Sequence, residues 1–540
     1  MDAVVIGSGV NGLVAAAELA RSGWSVAIVE RNPRIGGFVE SAELTRPGFI
    51  HDTYSSWHSE FVTGGAYAVL GEELHRHGLE YRNAEGFATG TVRRDGSSVL
   101  AHRDPGVTAD GFADSRDREA YLSVLDRTRE QLPQVGALLG GELRSLRSVG
   151  PVGRLGRAGG AAGLDRLLRD VASSGRAWVR RTFAGDEVDS LWVPWLLHSG
   201  LSPDHASGAV MLPLFAATIH AAGLPVVAGG SARFLTAFDA VLAEHGVEVH
   251  CGTPAERILV RGGRAVGVGL ADGTTIDARR AVLASVAPGA LYGELLPADA
   301  VPEAVARDAA RFRAGRAAMQ IHVALSAPPP WRDARLAEVP LLHLSEGSAS
   351  TAIACAEAEA GLLPREATVV VGQQTALDPS RAPAGAATLW IQLQELPARP
   401  VGDAAGALHT GGRWTPELAE AYAERILRRV DSHAPGLLDR VLAKRVLTPD
   451  DLTAHNPNAI GGDPYGGSPE LDQRLLWRPL PSSPRHSTPV RGLWHIGAAT
   501  HPGPGLNAAS GHLVAQTLLR PAAGTAAARA IRGAVKRARG

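Results

Sequence analysis

The stretch Ala3-Val4-Val5-Ile6-Gly7-Ser8-Gly9-Val10-Asn11-Gly12-Leu13 decides the fold class. Four apolar residues, Ala3 to Ile6, read as a buried strand, and three glycines follow at the spacing GxGxxG. Val10 to Arg21, rich in alanine and leucine, reads as a helix that Gly23 ends. A second strand, Ser25 to Val29, completes a parallel strand-helix-strand unit. Each glycine has a separate physical use: Gly7 permits the tight turn, Gly9 lets a phosphate approach the backbone, and Gly12 lets helix and strand pack closely. The helix N-terminus faces the phosphate charge. Glu30 closes the second strand 23 residues beyond Gly7 (30 − 7 = 23), where an acid can accept hydrogen bonds from ribose hydroxyls and would repel a 2′-phosphate. The expected fold class is α/β, with a Rossmann-like dinucleotide-binding domain.

This turn alone does not separate NAD from FAD. Arg34-Ile35-Gly36-Gly37 follows closely, and flavoproteins of the amine oxidase and phytoene desaturase type extend their phosphate cradle with such a glycine pair. Many of them have an arginine after the pair. Here Phe38 stands there, so Arg31 or Arg34 is the candidate for that phosphate contact. Near the far end, Leu493 to Gly497 reads as a strand and Thr500-His501-Pro502-Gly503-Pro504-Gly505 as a turn, before a helix from Asn507 to Leu519. Gly497, Gly503 and Gly505 let backbone amides approach a flat ring, and the helix N-terminus favours negative charge on a reduced flavin. A purely structural strand, turn and helix is the alternative. Together the three segments point to FAD.

Gly229-Gly230-Ser231 opens a predicted helix through Leu242, followed by a strand from Val247 to His250, a hairpin at Gly262-Gly263 and a buried strand from Ala281 to Ala284. Ala255, just after the first of these strands, is a further cofactor-binding candidate. The expected organisation is discontinuous: an FAD-binding domain from 1–95, 225–300 and 456–522, a discontinuous α+β substrate domain from 96–224 and 301–455, and a basic tail at 523–540. Thr415-Pro416-Glu417 predicts a helix start in the second substrate segment, running towards Val430, whereas 318–400 reads as strands and loops. Residues 141–181 carry nine arginines against Glu142, Asp165 and Asp170, interleaved with apolar residues. This stretch reads either as a membrane-surface or lid helix or as a solvated helical face.

The formal net charge of −1 over 540 residues supplies no global field for nucleic acid. Cys251 and Cys355 form no CxxC pair, which argues against a redox dithiol. No metal site is expected. Met1 and Asp2 lead directly into the first strand, so no leader is expected and a cytoplasmic location fits, with peripheral membrane contact left open.

The chain resembles the phytoene desaturase superfamily of flavoproteins, and within it the group called pyridine nucleotide-disulfide oxidoreductase domain-containing protein 2. The shared stretches include Arg46-Pro47-Gly48-Phe49 with Asp52, Gly229-Gly230, Leu377-Asp378-Pro379-Ser380 with Ala382-Pro383, Leu471-Asp472-Gln473 with Arg478-Pro479, and Thr500 to Gly505. The resemblance implies a single FAD, not covalently held, and hydride transfer between flavin N5 and a hydrophobic, possibly polyunsaturated small molecule. The electron acceptor, oxygen, a quinone or another, stays open. An amine oxidase-like enzyme and a flavoprotein with a mainly regulatory, protein-binding role are the alternatives.

His501 is the catalytic candidate, as a titratable group beside the flavin turn, although it can also serve only to brace that turn. Asp463 reads as a proton-transfer or turn residue, and Asp472 lies in the same segment. Trp192, Trp195 and His198 read as cavity lining or core, and His51, Ser55, Trp57 and His58 as approaching the same pocket.

Overall fold

Strand Ala3–Ile6 sits in the middle of a five-stranded parallel sheet in the computed structural model, which describes residues 1–157 and 161–520, of Ala161 only the backbone. The expected basic tail at 523–540 lies outside the described residues. The strand order is Leu493–His495, Ala281–Ala284, Ala3–Ile6, Val26–Val29 and Glu248–His250, with Ala3 registered against both Val26 and Ala281. The three central strands are buried along their whole length, as parallel strands are when both faces are covered.

The first helix, Val10–Arg21, and the last, Ala509–Leu519, pack against each other beside this sheet. Their contact is close because Gly511 presents no side chain: its N–H donates to Asn11 Oδ1 at 3.0 Å, and a Cβ there would collide with the Asn11 carbonyl oxygen. The two ends of the chain that carried the nucleotide signatures therefore meet in space.

A second sheet has seven strands in the order Val441–Leu447, Ala317–Leu325, Ala387–Leu396, Val369–Gly372, Leu341–Leu344, Phe87–Val92 and Ser98–His102. Period-2 alternation divides its residues between two layers. Ile391, Leu393 and Val371 pack against helix Pro416–His433, while Trp390, Val370 and Leu341 face helices that include Gly208–Ala222. Thr415 caps the first of these helices, its Oγ1 accepting from Leu418 N at 3.2 Å, and Pro416 fills the first helical position, where a missing N–H costs nothing. The helix runs past Val430 to His433. A helix of 12 residues, Ser348–Glu359, falls where strands and loops were expected. It is mostly small residues with no apolar stripe, so periodicity could not show it.

We propose that the domain division follows the two sheets. The expected boundary at 95 would fall between strands Phe87–Val92 and Ser98–His102, which pair with each other in the second sheet, so the boundary belongs before Phe87.

A buried ion network joins short segments that lie outside both of these sheets. Arg381, fully buried, bonds Asp52 Oδ2 at 2.6 Å, Asp378 Oδ2 at 3.2 Å and the Val227 carbonyl at 2.5 Å. Asp378 in turn accepts from Gly229 N at 2.7 Å, and Asp52 accepts from Ser231 N at 2.7 Å and from the Ser56 hydroxyl. Three stretches far apart in sequence, around Asp52, Gly229-Gly230 and Leu377-Asp378-Pro379-Ser380, converge here. Sequence reading quoted all three but not Arg381, the cation that joins them.

Candidate active site

A single cavity of about 650 Å³ runs from the N-terminal glycine turn, past the C-terminal turn, to an aromatic chamber against the second sheet. At the nucleotide end, the first helix opens directly off Gly9, and its first-turn N–H groups have no intrahelical partners. Gly9 lines the cavity, and a Cβ built there meets no protein atom within 4 Å. Gly12 lies outside the lining: a Cβ on it would collide with the Gly7 carbonyl, the close helix-to-strand approach that the motif requires.

Glu30 is held rigidly at the cavity edge. Its Oε2 accepts from Ser8 N at 2.9 Å and Ser8 Oγ at 2.6 Å, and its Oε1 from Asn32 N at 2.8 Å. Gly36 and Gly37 have φ of 126° and 59°, a region that favours glycine, and Gly36 N donates to the Ser8 carbonyl at 3.1 Å. This lays the glycine pair on the first turn, with the Cα of Gly9 only 3.1 Å from where a Cβ of Gly37 would stand. Gly7, Arg31, Ala255, Gly497 and Gly505 also line the cavity, while Arg34 and Gly503 do not.

The cavity therefore offers what a dinucleotide needs: side-chain-free space beside a helix N-terminus, an acid at one end and a flat glycine-rich wall at the other.

His501 lies outside the lining. Its Nε2 donates to the Leu138 carbonyl at 2.9 Å, and burial pushes its pKa down to about 4, so the neutral ring braces the turn against the long helix Ser115–Leu139. Glu60, which sequence reading did not single out, lines the cavity at the turn instead. Its carboxylate stands where a side chain on Gly505 would go, and burial pushes its pKa up to about 7 against the opposing effect of the Leu506 and Asn507 amides. No motif marks Glu60; only the folding of Ser59–Val62 against residue 505 reveals it.

The chamber is walled by Trp57, Trp195, Phe215 and Trp390. His198 lines it and stacks on Trp195, ring centroids 4.4 Å apart. Ser55 also lines it. Trp192 instead is fully buried in the core, donating from Nε1 to Tyr121 Oη at 3.1 Å. His51 and His58 bond Thr45 and Tyr81 and lie outside the lining. Asp463 reaches the wall, but both its oxygens are committed: they accept from Gly315, Tyr465 and Gly467 N–H groups at 2.7, 2.7 and 2.8 Å. Asp472 pairs with Arg313 outside the cavity.

A family model for flavin containing amine oxidoreductases matches residues 11–516. The chain belongs to this family. As a flavin containing amine oxidoreductase it is an FAD-dependent oxidoreductase, and its likeness to phytoene desaturases is borne out by its relatives. It is 26% identical to mouse (Mus musculus) pyridine nucleotide-disulfide oxidoreductase domain-containing protein 2, over 96% of this chain and 93% of the relative. It is 27% identical to hydroxyneurosporene desaturase of Cereibacter sphaeroides, over 96% and 97%. The fold resembles that of an oxidoreductase from Methanosarcina mazei, with a TM-score of 0.61 at 17% identity, covering 96% of this chain and all of that one. Among the described residues of this family member, no helix is long and apolar enough to cross a membrane.

Proposed function

We propose that this enzyme dehydrogenates an apolar, unsaturated small molecule held in the aromatic chamber. The observation that carries this reading is the continuity of the cavity: the walls suited to FAD and those suited to a flat apolar ligand enclose one space. The desaturase relative, acting by its name on hydroxyneurosporene, supports the same substrate class. Bound FAD supplies a two-electron acceptor for hydride.

The chain's own residues do the rest. The amides from Gly9 to Asn11 would face the pyrophosphate, with Gly36 and Gly37 extending that cradle and Arg31 beside it. Glu30, its orientation fixed by Ser8 and Asn32, would accept from the ribose hydroxyls, with Ala255 bordering the same end. Gly497 and Gly505 would let a flavin ring lie against the backbone, and the N-terminus of the last helix would favour negative charge there. Trp57, Trp195 and Trp390 exclude water from the reacting carbon and orient unsaturated ligands by their faces. Anaerobic mixing with apolar unsaturated compounds should bleach the flavin band, while simple amines should not. Bleaching by amines alone would favour an amine oxidase instead.

We also propose that the enzyme takes its substrate from an anionic lipid surface. Helices Leu146–Arg157 and Ala161–Ala172, which pack on each other, expose Leu146 (92%), Val149 (64%) and Leu168 (62%), and the exposed Arg144, Arg147 and Arg154 lie on or just before the first of them. The root of this hairpin is latched to the cofactor end, where Glu142 pairs with His486 Nδ1 at 2.8 Å and His486 Nε2 reaches the His501 carbonyl. The chain should sediment with phosphatidylglycerol vesicles more than with phosphatidylcholine vesicles. Leu146→Ser with Val149→Ser should weaken this by about tenfold, through roughly 1.4 kcal/mol of lost apolar burial. Equal sedimentation with both lipids, or no loss in the variant, would refute the contact.

A further inference from the structure

Strand register places a row of polar side chains, interrupted by Val370, across the chamber face of the seven-stranded sheet. Thr91 is registered against His343, His343 against Val370, Val370 against Gln392, and Gln392 against Gln320. Registered partners share a face, and this is the face of Trp390, not that of the core beneath helix Pro416–His433. Gln394, two residues beyond Gln392, extends the row, and Gln320, Gln392 and Gln394 all line the cavity.

These groups are almost completely buried, yet their hydrogen-bonding capacity is unmet. Among the described residues, Gln320 Oε1, Gln394 Oε1, His343 Nδ1 and Thr91 Oγ1 have no partner. Gln320 Nε2 donates to the Tyr54 carbonyl at 2.7 Å, and Gln394 Nε2 contacts Gln392 Oε1 at 3.1 Å and Tyr465 Oη at 2.5 Å. His198 closes the row from above, its Nε2 sharing a proton with His343 Nε2 at 3.0 Å. Burial pushes His198 down to about 3 and His343 well below its ordinary range, so both rings are neutral near neutral pH.

A chamber for a bare hydrocarbon gains nothing from such a floor. Buried amides without partners disfavour the folded state and repel an apolar ligand laid over them, whereas they favour a ligand that completes them. The row holds no carboxylate, so its open amide oxygens accept from a neutral hydroxyl with no negative charge to draw in a cation.

We propose that the substrate is an apolar molecule bearing a hydroxyl, which the Gln320-Gln392-Gln394 row and His198 recognise. This rests on the reading that the aromatic chamber receives the substrate. It makes Gln392, at the middle of the row, a specificity-determining residue.

Farnesol, farnesene and farnesylamine share one carbon chain and differ at its end. Titrated into oxidised holoenzyme and followed by quenching of tryptophan fluorescence, farnesol should bind about tenfold or more tighter than farnesene, because a site built to pair an oxygen discriminates strongly against its absence. Gln392→Leu should collapse that ratio towards unity, and so should His198→Phe, a second route if the first variant fails to fold. Farnesene binding as tightly as farnesol, a preference for farnesylamine, an undiminished ratio in both variants, or no response to any of the three would overturn the proposal. The flavin band, read in the same samples, reports cofactor loading, and its anaerobic bleaching reports the redox reading. Failure of either is therefore distinguishable from failure of oxygen recognition.

Discussion

Replacing Arg381 by methionine is expected to lower the unfolding free energy by about 3–5 kcal/mol, because it leaves buried carboxylates without their cation. Arg381 and Asp52 are both essentially inaccessible, and Asp378 is nearly so. The guanidinium is also the link between the segment that carries Ser55 and Ser56 on the cavity wall and the turn at Gly229-Gly230. Urea unfolding followed by tryptophan fluorescence measures the loss. Converting Asp52 and Asp378 to asparagine in the same chain should recover a large part of it, since the uncompensated charge and not the missing volume is the main cost. A loss below about 1 kcal/mol, the size of an ordinary substitution, would show that the network does not bear on stability.

The second large effect is on cofactor affinity. Gly9 has an ordinary φ of −58°, and a Cβ there meets no protein atom within 4 Å, so Gly9→Val should fold. Its side chain would nevertheless fill the space beside the helix N-terminus that the pyrophosphate needs. FAD affinity should fall by about 100-fold or more, roughly 2.7 kcal/mol, read by titrating FAD into the apoprotein and following flavin fluorescence. Unchanged affinity would mean that the phosphates lie elsewhere. Gly12→Val makes an instructive contrast: its collision is with the Gly7 carbonyl, so it should damage the fold itself.

The nucleotide half of the molecule was legible because its signals are local. Ala3–Ile6, Val10–Arg21 and Ala281–Ala284 form where periodicity and glycines place them, and the hairpin turns at Gly262-Gly263 as read. Roles at the chamber were less legible because they depend on pairing between strands. The alternation Trp390, Gln392, Gln394 is visible in one strand, but the row from Thr91 to Gln320 exists only through the register of five strands. His501 shows the converse. Its position in the flavin turn suggested chemistry, whereas the fold turns its ring to a backbone carbonyl 363 residues away. Arg381 stands unquoted inside the Leu377 to Pro383 stretch and Glu60 carries no motif; Asp52 and Gly505, against which they fold, lie far off in the chain.

The most direct measurement is the identity and amount of the chromophore released when the purified protein is denatured. The account predicts a yellow protein whose denaturation frees FAD, without a covalent link, at equimolar ratio to the chain. A colourless protein that takes up no FAD, or one that releases FMN or a nicotinamide nucleotide in its place, would contradict it.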